Sequence, residues 1–106
     1  MKKIIPDMVF QEETNECGLS CIAMLAQTQN IQCSLPALRE IFPASDHGTS
    51  LRYLSLILQQ IGIATAPVLF DHEELHALPF PSILHYGASH FVLLAWRKGD
   101  YVCVMN

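Results

Sequence analysis

Three residues of this chain have side chains suited to acyl transfer: Cys17, His90 and Gln11. Cys17 stands in the segment Glu16–Cys21, and Gln11 lies six residues before it. His90 opens the apolar run Phe91–Leu94. A cysteine thiolate attacks a carbonyl carbon, a histidine takes and returns the proton, and an amide N–H stabilises the oxyanion that forms. The sequence therefore predicts a nucleophile, a base and an oxyanion donor, provided that the fold brings them together.

The charges expected around Cys17 act in opposite directions. Cys17 lies at the start of a predicted helix, where free amides and the positive end of the helix dipole favour a thiolate. The nearby carboxylates of Glu12, Glu13 and Glu16 favour the neutral thiol instead. A protonated histidine beside Cys17 would favour the thiolate, so we expect Cys17 and His90 to act as a pair.

Two further groups complete the expected site. The backbone N–H of Cys17 is a second oxyanion donor beside the Gln11 amide. A base also needs a partner that orients its ring, and Asn106, at the end of the strand predicted next to that of His90, is the candidate.

The cysteines also have a purely structural interpretation. A cysteine in an apolar helix is more often a small core residue than a nucleophile. Cys21 follows Cys17 by one helical turn, and we expect it to belong to the core. Cys33 is predicted to lie in a loop and Cys103 in a strand, and neither has a feature that indicates chemistry.

Four side chains, Cys17, Cys21, His85 and His90, are potential zinc ligands. Their spacings, Cys-x3-Cys and His-x4-His, differ from those of the usual zinc fingers, and the two histidines lie on either side of a predicted turn. We therefore expect no metal and no cofactor.

The remaining histidines carry no assigned chemistry. His72 and His76 share one face of a predicted helix, but no third ligand accompanies them, so a solvated face is the simpler interpretation. His47 lies in a predicted loop.

Length and composition limit the function classes. A chain of 106 residues forms one domain, and its net charge of -4 argues against a nucleic-acid partner. The sequence carries no signal-peptide core and no apolar run that approaches a membrane span, which predicts a cytosolic chain with reduced cysteines. Charged residues make up only 15%. Either some apolar surface faces a partner or the domain is simply rich in core residues.

Periodicity predicts three helices in the first part of the chain. Apolar spacings of three and four residues indicate helices, and capping residues mark their ends. The predicted caps are Asn15 for the first helix, Ser34 for the second, Thr49 or Ser50 for the third, and Gly62 at the end of the third. The predicted helices cover residues 17–28, 35–42 and 51–61.

The second part of the chain has strand character. We predict a strand at 63–70, at an edge or a bulge because of Pro67, and then a short helix at 71–78 with an acidic capping box of Asp71 and Glu74. Helices followed by strands with short links predict an α+β fold with helices packed on an antiparallel sheet. The last three predicted strands cover residues 82–86, 89–96 and 101–105.

Taken together, these motifs resemble a known family. The first motif is a glutamine six residues before the cysteine of Glu-Cys-Gly-Leu-Ala/Ser-Cys-x-x-Met, and residues 11–24 match it. A second block ending in His-Phe-Val-Val-Leu is met by residues 81–86 and 89–94. The Gly-x-Ser/Thr-Leu start of a middle helix is met at 48–51. The chain thus resembles the peptidase C39 domain of bacterial ABC exporters that mature and secrete bacteriocins and microcins.

The resemblance implies a papain-like cysteine peptidase that removes leader peptides ending in a double glycine. It assigns Cys17 as nucleophile, His90 as general base and Gln11 as oxyanion donor. The partners implied are the leader peptide and the transmembrane and nucleotide-binding domains of an ABC exporter, on the cytoplasmic side of the bacterial inner membrane. The non-catalytic alternative is a C39-like domain that docks cargo.

The chain departs from the family pattern in two ways. The family has an aspartate that orients the base, and the aligned position here is Asn106. Family domains also continue beyond this point, which predicts a single C39-type domain over residues 1–106 that is shortened at its C-terminus.

Overall fold

The computed structural model describes residues 6–9, 16–43, 50–86, 90–98 and 101–105. Three α-helices precede a 3-10 helix and a three-stranded antiparallel sheet of order β1-β2-β3. The predicted α+β class, with helices packed on an antiparallel sheet, is confirmed. The elements are α1 (Cys17–Thr28), α2 (Leu35–Ile41), α3 (Leu51–Gln60), the 3-10 helix (His72–Ala77), β1 (Ser82–Tyr86), β2 (His90–Lys98) and β3 (Tyr101–Met105).

The long helix α1 forms the centre of the domain. All of its residues from Cys17 to Ala26 are buried, as expected for a helix that is apolar around most of its circumference. It packs against β2, α2 and α3. The three side chains Leu19, Ile22 and Met24 are fully buried, so the helix that carries Cys17 is held by neighbours on several sides.

The middle strand β2 is the part of the sheet that meets α1. It pairs with β1 from Tyr86 opposite His90 to Ser82 opposite Leu94, and with β3 on its other side. Residues 91–95 of β2 are buried without alternation, which indicates that both faces of this strand are covered. Phe91, Leu93 and Ala95 belong to the same core cluster as α1.

The predicted helix ends are largely confirmed. The Ser34 hydroxyl accepts the N–H of Ala37 at 3.3 Å, and the Ser50 hydroxyl accepts the N–H of Tyr53 at 3.1 Å. Gly62 follows α3 with a positive φ of 93°, the left-handed conformation that favours glycine at this position.

The N-cap of α1 was predicted wrongly. The residue at that position is Glu16, and its side chain does not cap the helix. Asn15, the predicted cap, lies outside the described residues. The carboxylate of Glu16 binds Arg39 instead, and no sequence pattern near α1 indicates that partner.

The strand predicted at 63–70 is also wrong, because this segment has no regular secondary structure. Residues 64–69 are exposed, so the segment has no buried face, and Pro67 has no N–H to donate to a neighbouring strand. The capping box that follows is confirmed in part: the Glu74 carboxylate accepts the N–H of Asp71 at 3.2 Å, but the helix is a 3-10 helix.

Two hydrogen bonds attach the N-terminal segment 6–9 to α1. The Gln27 side chain accepts the N–H of Asp7 at 2.7 Å and donates to the Asp7 carbonyl at 3.2 Å. Among the described residues, no helix is long and apolar enough to cross a membrane.

Candidate active site

Cys17 is the first residue of α1, so its backbone N–H belongs to the first turn of a buried helix. Its side chain is largely buried, with 9% exposed. The Glu16 carbonyl accepts the N–H of Ser20 at 2.9 Å, which starts the hydrogen-bond ladder of the helix at this point. Cys17 therefore lies among the first-turn amides of α1, which have no partner within the helix ladder.

Cys21 lies one turn after Cys17 and has a different chemical character. It is 1% exposed, which confirms the prediction that it belongs to the core. Burial, with a smaller contribution from the charge of Cys17, raises the pKa of Cys21 to about 12. Cys21 therefore keeps its proton at neutral pH and is not a nucleophile.

The other two cysteines lie where the sequence predicted. Cys33 is in the coil between α1 and α2, and partial burial raises the pKa of its thiol. Cys103 is in β3. All four cysteines are free thiols, and of the four only Cys17 lies at the start of a helix.

His90 is the first residue of β2 and pairs with Tyr86 of β1. The next residue, Phe91, is fully buried and lies in the same core cluster as Cys17. The packing of α1 on β2 thus brings together the two elements that begin with the predicted nucleophile and the predicted base. The ring of Phe91 stacks on that of His85, its partner in β1, with 4.5 Å between centroids, and this contact adds to the β1–β2 pairing next to His90.

The ion pair between Glu16 and Arg39 was not predicted from the sequence. Glu16 is only 2% exposed, and Arg39 of α2 donates to both of its carboxylate oxygens, Nη2 to Oε1 at 3.1 Å and Nε to Oε2. The sequence indicated that Glu16 would disfavour the Cys17 thiolate, but the guanidinium offsets that carboxylate charge. Glu16 and Arg39 are 23 positions apart in the sequence, so no local pattern links them. Only the burial of Glu16, seen in the structure, indicates that its carboxylate needs a partner.

The remaining two predicted site residues are the oxyanion donor and the group that orients the base. Gln11 and Asn106 both lie outside the described residues. Their roles as oxyanion donor and as the group that orients the base stay predictions.

The described residues form two surface cavities along α3. The larger, of about 1130 Å³, is bounded by α3, the segment 63–71 and β1, and a smaller one of about 640 Å³ lies along α3. Neither is lined by Cys17 or His90. Among the described residues, no group of three or more His, Cys, Asp or Glu side chains is arranged to hold a metal ion.

Comparison with solved structures supports the fold. The chain superimposes on the crystal structure of a double glycine motif protease from an AMS/PCAT transporter, in complex with its leader peptide, with a TM-score of 0.84. The match covers 96% of this chain and 74% of that one, at 24% sequence identity.

Curated relatives are secretion and processing proteins. The chain is 39% identical over 96 residues to the probable microcin-H47 secretion/processing ATP-binding protein MchF and to the colicin V secretion/processing ATP-binding protein CvaB, both of Escherichia coli. It is 28% identical over 113 residues to the lactococcin-G-processing and transport ATP-binding protein LagD of Lactococcus lactis subsp. lactis. The matches cover 90% or more of this chain but about 14% or 15% of each relative.

The family assignment rests on a match over nearly the whole chain. A sequence model of the Peptidase C39 family matches residues 6–106. That range includes all four predicted site residues, Gln11, Cys17, His90 and Asn106. The resemblance inferred from the motifs is confirmed, and with it the class of peptidase: the chain belongs to the Peptidase C39 family.

Proposed function

We propose that this chain is the leader-peptidase domain of a bacteriocin- or microcin-exporting ABC transporter, and that it cuts precursors after a double glycine. The observation that carries the proposal is the position of Cys17, the first residue of a buried helix packed on the strand that begins at His90. A thiol at the start of a helix and a histidine at the start of a strand packed on that helix support a nucleophile and its base, the pair that thiol acyl transfer needs.

In the acylation step, the Cys17 thiolate attacks the carbonyl carbon of the second glycine. The oxyanion is stabilised by the backbone N–H of Cys17 and the side-chain amide of Gln11. The C–N bond then breaks, and protonated His90 gives its proton to the leaving amine. The products of this step are a thioester on Cys17 and the released cargo peptide.

In the deacylation step, His90 takes a proton from water and the resulting hydroxide attacks the thioester carbon. The C–S bond breaks, the leader leaves with a C-terminal carboxylate, and Cys17 returns to the thiolate. Asn106 orients the imidazole in both steps. An asparagine supplies a hydrogen bond but no negative charge, so it stabilises the imidazolium less than an aspartate would.

The substrate and setting are inferred from the relatives. Their names describe processing and secretion of microcins, colicin V and lactococcin G by ATP-binding proteins. A domain that processes precursors for such a transporter meets them where they are made, so we place it on the cytoplasmic side of the bacterial inner membrane. Its partners are the precursor's leader peptide and the exporter's transmembrane and nucleotide-binding domains.

The proposal is tested by cleavage of a synthetic precursor peptide with one double-glycine site. We expect one leader product ending in Gly-Gly from the wild-type chain and none from Cys17→Ala. The matched control is Cys21→Ala, which removes a thiol from the same helix and should keep the activity. Leader binding without cleavage by the wild-type chain would overturn the peptidase and favour a cargo-docking domain.

A further inference from the structure

One feature of the site has no counterpart in the reaction described above: the ion pair between Glu16 and Arg39. Arg39 lies in the last turn of α2, and Glu16 occupies the N-cap of α1. The guanidinium makes a two-point contact, with Nη2 3.1 Å from Oε1 and Nε on Oε2. The pair thus connects two helices at the residue directly before the nucleophile.

The pair differs from an ordinary surface salt bridge in its burial. Glu16 is 2% exposed, whereas 33% of the Arg39 side chain is exposed. Removing a carboxylate from water is costly unless it is paired and hydrogen-bonded. A two-point guanidinium contact also fixes the direction of the carboxylate, which a single lysine ammonium does not do.

The choice of Glu16 as N-cap residue has a local consequence. An N-cap side chain usually accepts a hydrogen bond from an amide of the first turn. The Glu16 side chain makes no such bond, because its carboxylate is directed to Arg39. The pair therefore anchors the start of α1 without covering the amides of its first turn.

The peptide unit between Glu16 and Cys17 is held on two sides. Its carbonyl oxygen accepts the N–H of Ser20 at 2.9 Å, and the side chain of Glu16 is held by Arg39. The N–H of this same peptide unit belongs to Cys17 and is the backbone donor to the oxyanion in the proposed function. Its orientation therefore depends on both anchors.

We propose that Arg39 is a positioning residue for the nucleophile: through Glu16 it fixes the peptide unit that carries the Cys17 N–H, and with it the start of the Cys17 side chain. The inference rests on the proposed function for the role of that N–H. Arg39 itself does not contact the substrate in this account. A small misplacement of a reacting group by a distant substitution can cost about 10²-fold in rate.

The variants for the test are Arg39→Gln, Arg39→Lys, Glu16→Gln and the double variant Glu16→Gln/Arg39→Gln. Arg52→Gln is the matched control, since Arg52 is an exposed arginine of α3. Thermal unfolding first identifies a temperature at which every variant is folded, and all rates are measured there.

We expect Arg39→Gln to lower kcat for leader cleavage about 10- to 100-fold while KM changes less than about twofold, because the ion pair positions the Cys17 N–H and side chain and does not bind the leader. Arg39→Lys should recover part of the loss, and Arg52→Gln should match the wild type. Since Arg39 acts through Glu16, the double variant should be no slower than the slower single variant.

With the leader peptide as substrate, two results would overturn this role. One is an unchanged kcat for a folded Arg39→Gln, and the other is a double variant whose loss is the product of the two single losses. Either would show that Arg39 does not act on Cys17 through Glu16.

A second substrate separates this inference from the proposed function. p-Nitrophenyl acetate acylates the Cys17 thiolate and releases p-nitrophenolate, and the reaction uses the same oxyanion donors without a leader peptide. This acylation appears as a rapid initial burst of p-nitrophenolate. If the wild-type chain does not cleave the leader peptide but gives this burst, the proposed substrate is wrong, and the burst rate still tests the role of Arg39. An equal burst rate in wild type and Arg39→Gln would contradict the inference.

Discussion

The buried thiol of Cys21 should make this domain sensitive to alkaline pH. Burial and the nearby charge of Cys17 raise the pKa of Cys21 from 9.0 to about 12. The unfolded chain gives up this proton near pH 9, whereas the folded chain holds it until about pH 12. Between these values the folded state binds one more proton than the unfolded state, so stability falls as the pH rises.

The size of this effect follows from proton linkage. One proton of difference lowers the free energy of unfolding by about 1.4 kcal/mol per pH unit. From pH 9 to pH 11 the thiol of Cys21 should therefore remove roughly 2 to 3 kcal/mol, a large part of the stability of a small domain. Below pH 9 both states are protonated and the effect disappears.

The substitution Cys21→Ala removes the contribution of this thiol to the pH dependence of stability. The assay is urea unfolding at several pH values between 8 and 11. Other groups also titrate in this range, so the informative quantity is the difference from the wild type. Between pH 9 and pH 11, the free energy of unfolding of Cys21→Ala should fall by roughly 2 to 3 kcal/mol less than that of the wild type.

The matched control is Ile22→Val, at a fully buried position of the same helix. This change removes one methylene group and should cost about 0.5–1.5 kcal/mol at every pH, because no proton is involved. Stability curves of wild type and Cys21→Ala that stay parallel from pH 9 to pH 11 would refute the reasoning.

Three further predictions concern the site. His90→Ala should lower leader cleavage about 10²–10⁴-fold and slow the alkylation of Cys17 at neutral pH; an unchanged pH profile of alkylation, followed by mass mapping, would contradict the pairing. Asn106→Asp should keep or raise the turnover number and Asn106→Ala should lower it; equal rates in all three proteins would mean that this position does not orient the base. Ser20→Ala should be neutral or stabilising in urea unfolding, because the buried Ser20 hydroxyl has no hydrogen-bond partner among the described residues; a loss above about 1 kcal/mol would argue for a partner.

Local signals predicted much of the fold. The caps at Ser34, Ser50 and Gly62 were read correctly because each acts on backbone groups within three or four residues of itself. Strand pairing also followed from sequence, since short turns force β1, β2 and β3 to be antiparallel neighbours.

The failures came from interactions that are not local. The segment 63–70 has the composition of a strand, but it has no regular secondary structure and its residues 64–69 are exposed, so no buried face stabilises it as a strand. Arg39 was missed because its partner, Glu16, lies on another helix and meets it only after α1 and α2 pack together. The sequence therefore indicated the carboxylates near Cys17 but not the Arg39 guanidinium, which offsets the charge of Glu16.

The central claim is that Cys17 attacks the carbonyl carbon of the second glycine of a double-glycine site. The most direct measurement is labelling of the wild-type chain with a peptide chloromethyl ketone ending in Gly-Gly, followed by peptide mapping of the adduct. The account predicts one adduct, on Cys17, which a competing double-glycine leader peptide slows and His90→Ala nearly abolishes. Labelling of Cys33 or Cys103 at the same rate as Cys17, with no protection by the leader, would contradict it.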